Sequence, residues 1–308
     1  MTARDFDTGV REFEIFRCGQ CGLTQTGIAD EEIVNNAYSS SYYGSTTSKF
    51  LAFFEHLVVR ENRRRAQQIL TVYRRRAQTG AAPRVLDIGC GRGLLLQSLH
   101  RMGADCMGLE RESFPLTEEP GIRIHVGTLS DSEFDGQRFH VIVIWHVLEH
   151  MEDLQQVLSF LQSHLYDDGL VVISVPNYSS WQSRCFGRHW FHLDLPRHLL
   201  HFRRKWLRST LEASGLAVLS ESTYSASQNY FGFIQSLCNR LFPGSPNRLY
   251  GLLKYRRKAR EWIPLLGWAC IGAGLLPFAI LESLCAEPFK RGATLTLFLG
   301  RNREDMPS

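Results

Sequence analysis

The sequence predicts an α/β protein, a largely parallel sheet carrying helices on both faces. Three observations predict it. Short β-rich apolar runs alternate with helix-spaced segments between residues 84 and 175. A glycine-rich turn joins the first of those runs to a helical pattern. The composition is that of a folded chain, with 44% hydrophobic and 21% charged residues among 308, which excludes disordered, collagen-like and solvating-tail classes.

Residues 1–48 read as a small appendage ending in a loop. They hold few periodic apolar positions, a CxxC pair at Cys18 and Cys21, and the run AYSSSYYGSTTS. Residues 49–80 read as a helical extension. Phe50, Phe53, Phe54, Leu57, Val58, Ile69, Leu70 and Tyr73 recur at helical spacing, with neither Pro nor Gly between Lys49 and Gln78. The arginines between Arg60 and Arg76 read as its solvated face rather than as a nucleic-acid patch.

Residues 81–308 read as the main domain. Its expected strands are Arg84–Ile88, Asp105–Leu109, Ile122–Val126, Val141–Trp145 and Val171–Val175. Helices are expected over Leu94–Met102 and Asp153–Leu165, with a shorter piece near Pro115. Two later β-rich runs, Ala217–Ser222 and Thr294–Leu299, enclose a hydrophobic insertion at about 225–292.

Net charge is +4, from 35 basic and 31 acidic residues, too mild for a dedicated nucleic-acid binder. Thirty of those cations are Arg, and they cluster. Eight cysteines are too sparse for a disulfide scaffold and suit a reducing compartment. The first thirty residues mix charges throughout and predict no signal peptide, so a cytoplasmic location is expected.

The chemistry starts at RVLDIGCGRG, Arg84 to Gly93. Glycines at 89, 91 and 93 allow a tight turn and a close backbone approach to a ligand. A dinucleotide fingerprint would need a third glycine where Leu94 stands. Asp87, just before the turn, would repel a pyrophosphate but suits a cationic ligand. Glu110 closes the next strand, where an acid commonly takes ribose hydroxyls. Together they imply a ribose-bearing cofactor without phosphate.

With these residues the chain resembles the class I S-adenosylmethionine-dependent methyltransferases. The resemblance continues through Phe139–Leu158 (FHVIVIWHVLEHMEDLQQVL) and Leu165–Asn177 (LYDDGLVVISVPN), and covers about Arg84 to Arg301. Trp190–Phe202 (WFHLDLPRHLLHF) is similar to a bacterial subgroup with an LDxPRH segment after the fifth strand. The resemblance implies a Rossmann-like seven-stranded sheet whose last strand is antiparallel, with S-adenosylmethionine bound at the strand carboxyl ends. Carried over by position, Asp87, Gly89, Cys90, Gly91 and Gly93 line the cofactor and Glu110 takes its ribose. Thr128 and Leu129 lie near the adenine, with Thr128 standing where many relatives have an aspartate. Trp145 and His146 face the sulfonium side. Asp167-Asp168-Gly169 replaces the family's usual Lys-Pro-Gly-Gly turn.

Methyl transfer needs a positioned nucleophile, and a base only when the acceptor carries a proton that must leave. His198 is the first candidate base and His150 the second. The alternative is that His198 and His201, both in LPRHLLHF, only anchor a lid through backbone hydrogen bonds. Relatives acting on ubiquinone precursors or small-RNA ends carry ExxEH where this chain has His146, Glu149 and His150, and there the acids and histidine bind a divalent ion. With His146 replacing the first acid, the expectation here is hydrogen bonding at a strand-to-helix corner and no metal. Cys18 and Cys21 resemble one knuckle of a zinc ribbon, and a closed site needs four ligands. No second CxxC exists in the chain, so a turn with two free thiols is expected.

Ile263–Leu281 holds no charge in nineteen residues, enough on length for a membrane span. If the runs on either side belong to one sheet, however, the chain must leave and return on the same side. Pro264 and Pro277 are expected to cut its helix to about a dozen residues. Lys254–Arg260 (KYRRKAR) precedes it with five cations in seven residues. A peripheral element on an anionic membrane surface, or an internal lid or dimer surface, fits better than spanning. The expected function is methyl transfer to oxygen of a small or lipid-linked acceptor. The alternatives are a divalent-metal-assisted methyltransferase of quinone precursors or RNA ends, and a non-catalytic cofactor-binding partner subunit.

Overall fold

The structure is a computed structural model and describes residues 1–5, 11–27, 52–77, 80–111, 120–244, 246–254 and 262–302. Three strands that the spacing did not predict occupy the N-terminal segment: β1 (Thr2–Arg4), β2 (Glu12–Arg17) and β3 (Thr24–Gly27). In β2 the buried Phe13 and Ile15 alternate with exposed Glu12, Glu14 and Phe16, the two-residue period of a half-buried strand.

One helix, α1 (Ala52–Ala77), follows. Its buried stripe of Asn62, Ala66, Ile69, Leu70 and Tyr73 repeats every three to four residues. Next come β4 (Arg84–Ile88), α2 (Leu94–His100), β5 (Asp105–Glu110), β6 (Ile122–Val126), β7 (Phe139–Trp145), α3 (Leu154–His164) and β8 (Leu165–Pro176). The helical piece expected near Pro115 lies outside the described residues. Asp153 caps α3 by accepting from the Gln156 N–H at 3.0 Å, an interaction contributing about 1 kcal/mol. The chain continues through α4 (Trp181–Phe186), β9 (Leu200–His201), α5 (Arg204–Ala213) and β10 (Leu216–Ser222). It ends with α6 (Ala226–Leu241), α7 (Arg248–Lys254), α8 (Trp262–Ala286) and β11 (Thr294–Arg301).

Seven strands form one sheet in the order β10-β11-β8-β7-β4-β5-β6. β11 runs antiparallel to both β10 and β8, and the pairings among β8, β7, β4, β5 and β6 are parallel. The expected α/β class and antiparallel last strand are therefore present. Strand alternation divides the core between two faces. Leu86, Ile88, Ile142, Ile144, Val171 and Ile173 meet α3 and α5 on one face. Val85, Val141, Val143 and Val172 meet α1 and α2 on the other. Each such full burial contributes roughly 1.5–3 kcal/mol. The same alternation turns Asp87 and Trp145, at the carboxyl ends of β4 and β7, toward α1.

A second sheet, β1-β2-β3-β9, joins the N-terminal strands to the LPRHLLHF segment through pairs Thr24↔His201 and Gln25↔Leu200. The insertion is a helical unit in which α8 packs on α6 and α7 around Ile234, Cys238, Leu249 and Ala279. Here the expected break at the prolines is wrong, since α8 runs unbroken over 25 residues with Pro277 inside it. Pro264 lies in the first turn, where its missing N–H is not needed. At Pro277 the lost donor would have served residue 273, which is exposed like the proline itself. Most of the described surface of α8 is exposed.

Candidate functional site

The turn after β4 is built on three left-handed glycines, Gly89 (φ +72°), Gly91 (φ +53°) and Gly93 (φ +70°). The Gly89 and Cys90 N–H groups both donate to the Leu109 carbonyl, at 2.7 and 3.1 Å, fixing the turn against β5. A Cβ on Gly89 would stand 2.3 Å from Val147 Cγ2, whereas nothing lies within 4 Å of one on Gly91. The loop is thus closed on one side and open on the other. Glu110, at the end of β5, accepts from the Gly91 N–H at 2.8 Å and from the Arg111 N–H at 2.9 Å. Its carboxylate is tied to the loop.

A cavity of about 160 Å³ opens beside this loop, lined in part by Asn62, Arg65, Asp87, Gly89, Cys90 and Trp145. Arg65 extends from α1, with its guanidinium 4.4 Å from the centre of the Trp145 ring and 2.6 Å from Glu61. Arg92 pairs with Glu55 of α1 at 3.0 Å. Burial, then the nearby Glu110 charge, push the Asp87 carboxyl up to about 8, against the pull of Arg65. Burial likewise pushes the Cys90 thiol up, so it stays neutral. Trp145 Nε1 is buried with no hydrogen-bond partner, an unsatisfied donor at a cavity wall. A larger open groove, about 840 Å³, lies between Cys21, Trp206 and Gln155 and shares no residue with this loop.

Beyond Trp145 the chain turns sharply. His146 has φ 54°, a left-handed conformation that costs a non-glycine residue roughly 1–2 kcal/mol. It is held by its N–H to the Ser174 carbonyl at 2.8 Å and by Nδ1 to Glu149 at 3.2 Å. His146 belongs to this corner, outside the cavity lining. Glu149 is buried, and its Oε2 and the His146 Nε2 have no hydrogen-bond partner. Burial raises the Glu149 pKa, but the hydrogen bond from His146 and the neighbouring His150 and His198 bring it down to about 2.

His150 Nδ1 bonds to the Arg197 carbonyl at 2.9 Å, and His198 Nδ1 to the His192 carbonyl at 2.9 Å. A carbonyl at Nδ1 demands the Nδ1–H tautomer, which places the lone pair of each neutral ring on Nε2. The two rings are 4.7 Å apart, and one ligand atom each from Glu149, His150 and His198 lie within 4.8 Å of one another. Burial, followed by the proximity of His150, lowers His198 to about 4.

Thr128 and Leu129 stand beyond β6, beside the end of β5, where the Gly127 N–H bonds the Glu110 carbonyl at 2.9 Å. The Thr128 hydroxyl is engaged by Asp131 at 2.8 Å. At the Cys18–Cys21 turn, the Cys18 N–H donates to the Leu23 carbonyl and the Gly22 N–H to the Cys18 carbonyl. N–H groups of Cys21 and Gln20 lower the Cys18 thiol. Cys18 and Cys21 carry no disulfide.

The structure thus gathers Asp87, Gly89, Cys90 and Trp145 at one cavity and ties Gly91, Gly93 and Glu110 to its loop. It gathers Glu149, His150 and His198 at the adjoining corner. Sequence reasoning missed Asn62 and Arg65 as cavity residues, having assigned the arginines of α1 to solvent. The usable signal was the position of Arg65 next to Asn62, Ala66 and Ile69, on the edge of the buried stripe.

A glycine-rich turn between a buried aspartate and a strand-end glutamate, on a seven-stranded sheet with an antiparallel last strand, defines a methyltransferase-type α/β domain whose cofactor is S-adenosylmethionine. The chain belongs to the family described as "Methyltransferase domain", whose model matches residues 58–221. It is 33% identical over 102 residues to a ubiquinone biosynthesis O-methyltransferase of Azorhizobium caulinodans, covering 30% of this chain and 40% of that one. A protein of the same name from Cereibacter sphaeroides is 33% identical over 124 residues, covering 37% and 50%. The chain therefore spans half or less of the length of these curated relatives. A solved S-adenosylmethionine-dependent methyltransferase from Archaeoglobus fulgidus is 17% identical, with a TM-score of 0.48, covering 86% of this chain and 98% of that one.

The residues present fit the cofactor. S-adenosylmethionine carries an ammonium and a carboxylate at one end and ribose hydroxyls in the middle. The cavity offers Asp87 and Arg65 for the first pair, an open Gly91 for close approach, and Glu110 beside the loop. Its 160 Å³ is below the roughly 300–1,000 Å³ usual for ligand pockets, because α1 lies across it.

Proposed function

We propose that the chain transfers a methyl group from S-adenosylmethionine to an oxygen of a small or lipid-linked acceptor, in the cytoplasm and at a membrane surface. The observation that carries this reading is the adjacency of the Asp87–Arg65 cavity to the Glu149/His150/His198 corner, joined by Trp145 and His146. The cofactor supplies an electrophilic methyl on a sulfonium. Asp87 and Arg65 orient its amino-acid end, Glu110 the ribose, and Gly89, Cys90, Gly91 and Gly93 let the backbone come close. Thr128 and Leu129 lie toward the base, and Trp145 walls the sulfonium side. His150, whose ring is half-buried, accepts the acceptor's proton. His198, held neutral by burial, sets the His150 edge of the acceptor site, so the order of the two histidines is the reverse of the expectation from sequence.

A second reading is supported by the ligand geometry of Glu149, His150 and His198. Two imidazoles with Nδ1 held by carbonyls and one ionised carboxylate make an N₂O set suited to a divalent cation such as Zn²⁺ or Mn²⁺. Such an ion would polarise the acceptor oxygen. The test is incubation of the protein with methyl-labelled cofactor and a cell extract including its lipid fraction. A labelled product whose mass spectrum places the methyl on oxygen supports O-methylation, and its loss on chelation with recovery by Mn²⁺ selects the metal-assisted form. Cofactor binding with no labelled product from any fraction would overturn both in favour of a non-catalytic partner subunit.

A further inference from the structure

The outer face of α8 is the largest feature the site leaves unexplained. Its inner stripe, Gly272, Leu275, Ala279, Ser283 and Ala286, packs on the rest of the insertion. The outer face presents Leu266 (63% exposed), Leu276, Phe278 (62%), Leu281 (61%) and Leu284, continued by Phe289 beyond the helix end. Only 17% of the apolar window in Leu266–Ala286 is buried, at a mean hydropathy of 1.8. A contiguous apolar face of this kind is rare on a surface that meets only water.

Charge identifies what covers it. Residues 226–286 contain seven cations, Arg240, Arg248, Lys254, Arg256, Arg257, Lys258 and Arg260, against two acids, Glu261 and Glu282. The insertion therefore carries a net charge of +5 in a chain whose total is +4. Five of those cations directly precede α8 in sequence, and Glu282 is turned inward onto Gln182 at 2.9 Å. A long apolar face with a cationic flank and no outward acid among its described residues is complementary to an anionic lipid surface.

Topology decides between lying on that surface and crossing it. The C-terminal end of α8 is fastened to the end of β10: Glu287 accepts from the Thr223 N–H at 2.8 Å, and the Gly292 N–H reaches the Thr223 hydroxyl at 3.2 Å. The insertion leaves and rejoins one edge of one sheet, and the inner face of α8 is occupied by protein. We propose that α8 is an interfacial docking helix that seats the chain on an anionic bilayer, its outer face lying in the headgroup region. This deepens the membrane-surface part of the functional reading above and rests on it for the acceptor's identity. The inner side of the docked helix is connected to the histidine corner by packed contacts. Gln182, bonded to Glu282, also donates to the Asn229 carbonyl of α6, and Gly232 of α6 abuts His192, whose carbonyl holds His198.

The experiment is flotation of the full chain with vesicles of phosphatidylcholine alone and with roughly a third phosphatidylglycerol, alongside the variant Phe278→Glu/Leu281→Glu. Both side chains are exposed, so the variant should keep its melting temperature. The expected result is binding more than about tenfold tighter to the anionic vesicles, and a comparable loss in the double variant. Absence of flotation with either vesicle, or equal binding to both, would overturn the proposal. So would a wild-type dimer in solution that the double variant dissolves, since a second copy would then cover the face. Calorimetric titration with S-adenosylhomocysteine in the same samples separates the two readings. Failure of the wild type to float while it still binds S-adenosylhomocysteine counts against docking alone, and absent cofactor affinity in the wild type counts against the methyltransferase reading alone.

Discussion

Gly89→Ala tests the glycine-rich loop most directly. The new Cβ meets two demands at once. At φ +72° it imposes left-handed strain of about 1–2 kcal/mol. It also falls 2.3 Å from Val147 Cγ2, 2.8 Å from Cγ1 and 3.1 Å from Cβ. Val147 is β-branched, so no rotamer clears both γ-carbons, and overpacking adds about 1–3 kcal/mol. Gly91→Ala is the control, because it carries the strain at φ +53° with nothing within 4 Å of its Cβ. At roughly 2–4 °C per kcal/mol for a domain of this size, Gly89→Ala should melt several degrees below Gly91→Ala in a calorimetric scan. Val147→Ala should recover most of that gap in the double variant. Equal melting of the two glycine variants, or no recovery, would refute the placement of Val147 against the loop and with it the closed side of the cofactor site.

Three further outcomes follow. Asp87 holds its proton to about pH 8 in the folded chain against 3.8 ordinarily. Because the unfolded chain ionises first, the stability contributed by the neutral carboxyl is fully present below pH 3.8 and is lost as pH rises to 8, at about 1.4 kcal/mol per pH unit. Asp87→Asn should therefore melt above the wild type at pH 8 while losing S-adenosylhomocysteine affinity, and unfolding curves against pH with parallel titrations check both. Arg65→Leu keeps the packing stem but removes the cation over Trp145. It should weaken cofactor binding about tenfold with little change in melting, and a matching loss for Arg63→Leu would deny Arg65 its role. Glu149→Gln removes the shared carboxylate of the histidine corner. It should abolish any Mn²⁺- or Zn²⁺-induced rise in melting temperature, whereas a rise identical to wild type would rule out this ligand set.

The main sheet was legible because each strand is an apolar run bounded by turn residues, and predicted and observed spans such as Ile122–Val126 coincide. The glycine loop was legible because its spacing is local. What was hidden depends on packing direction. Arg65 and Arg63 are indistinguishable by composition, yet the turn of α1 sends only one of them to the cavity. The 25 residues of α8 were obscured by prolines, whose cost vanishes in a first turn and falls on a face whose backbone is exposed. The strands of the N-terminal hairpin are short, and only EFEIFR among them alternates over more than four residues.

The histidine corner shows why the N-terminal hairpin bears on function. Glu149 and His150 are separated from His198 by nearly fifty residues, so no local pattern unites them. Backbone pairing does. The Leu199 N–H donates to the Glu149 carbonyl at 2.8 Å, and His150 Nδ1 holds the Arg197 carbonyl. On the other edge of the same segment the Thr26 N–H donates to the Leu199 carbonyl at 2.9 Å, and the Thr26 hydroxyl bonds the His198 carbonyl at 2.7 Å and His201 Nε2 at 2.8 Å. Each of these buried backbone groups would cost roughly 1–3 kcal/mol if left unmet. The segment can therefore present His198 to Glu149 only while β3 lies against it. Residues 11–27, which carry the Cys18–Cys21 turn, are in this chain the outer wall that holds the histidine corner closed.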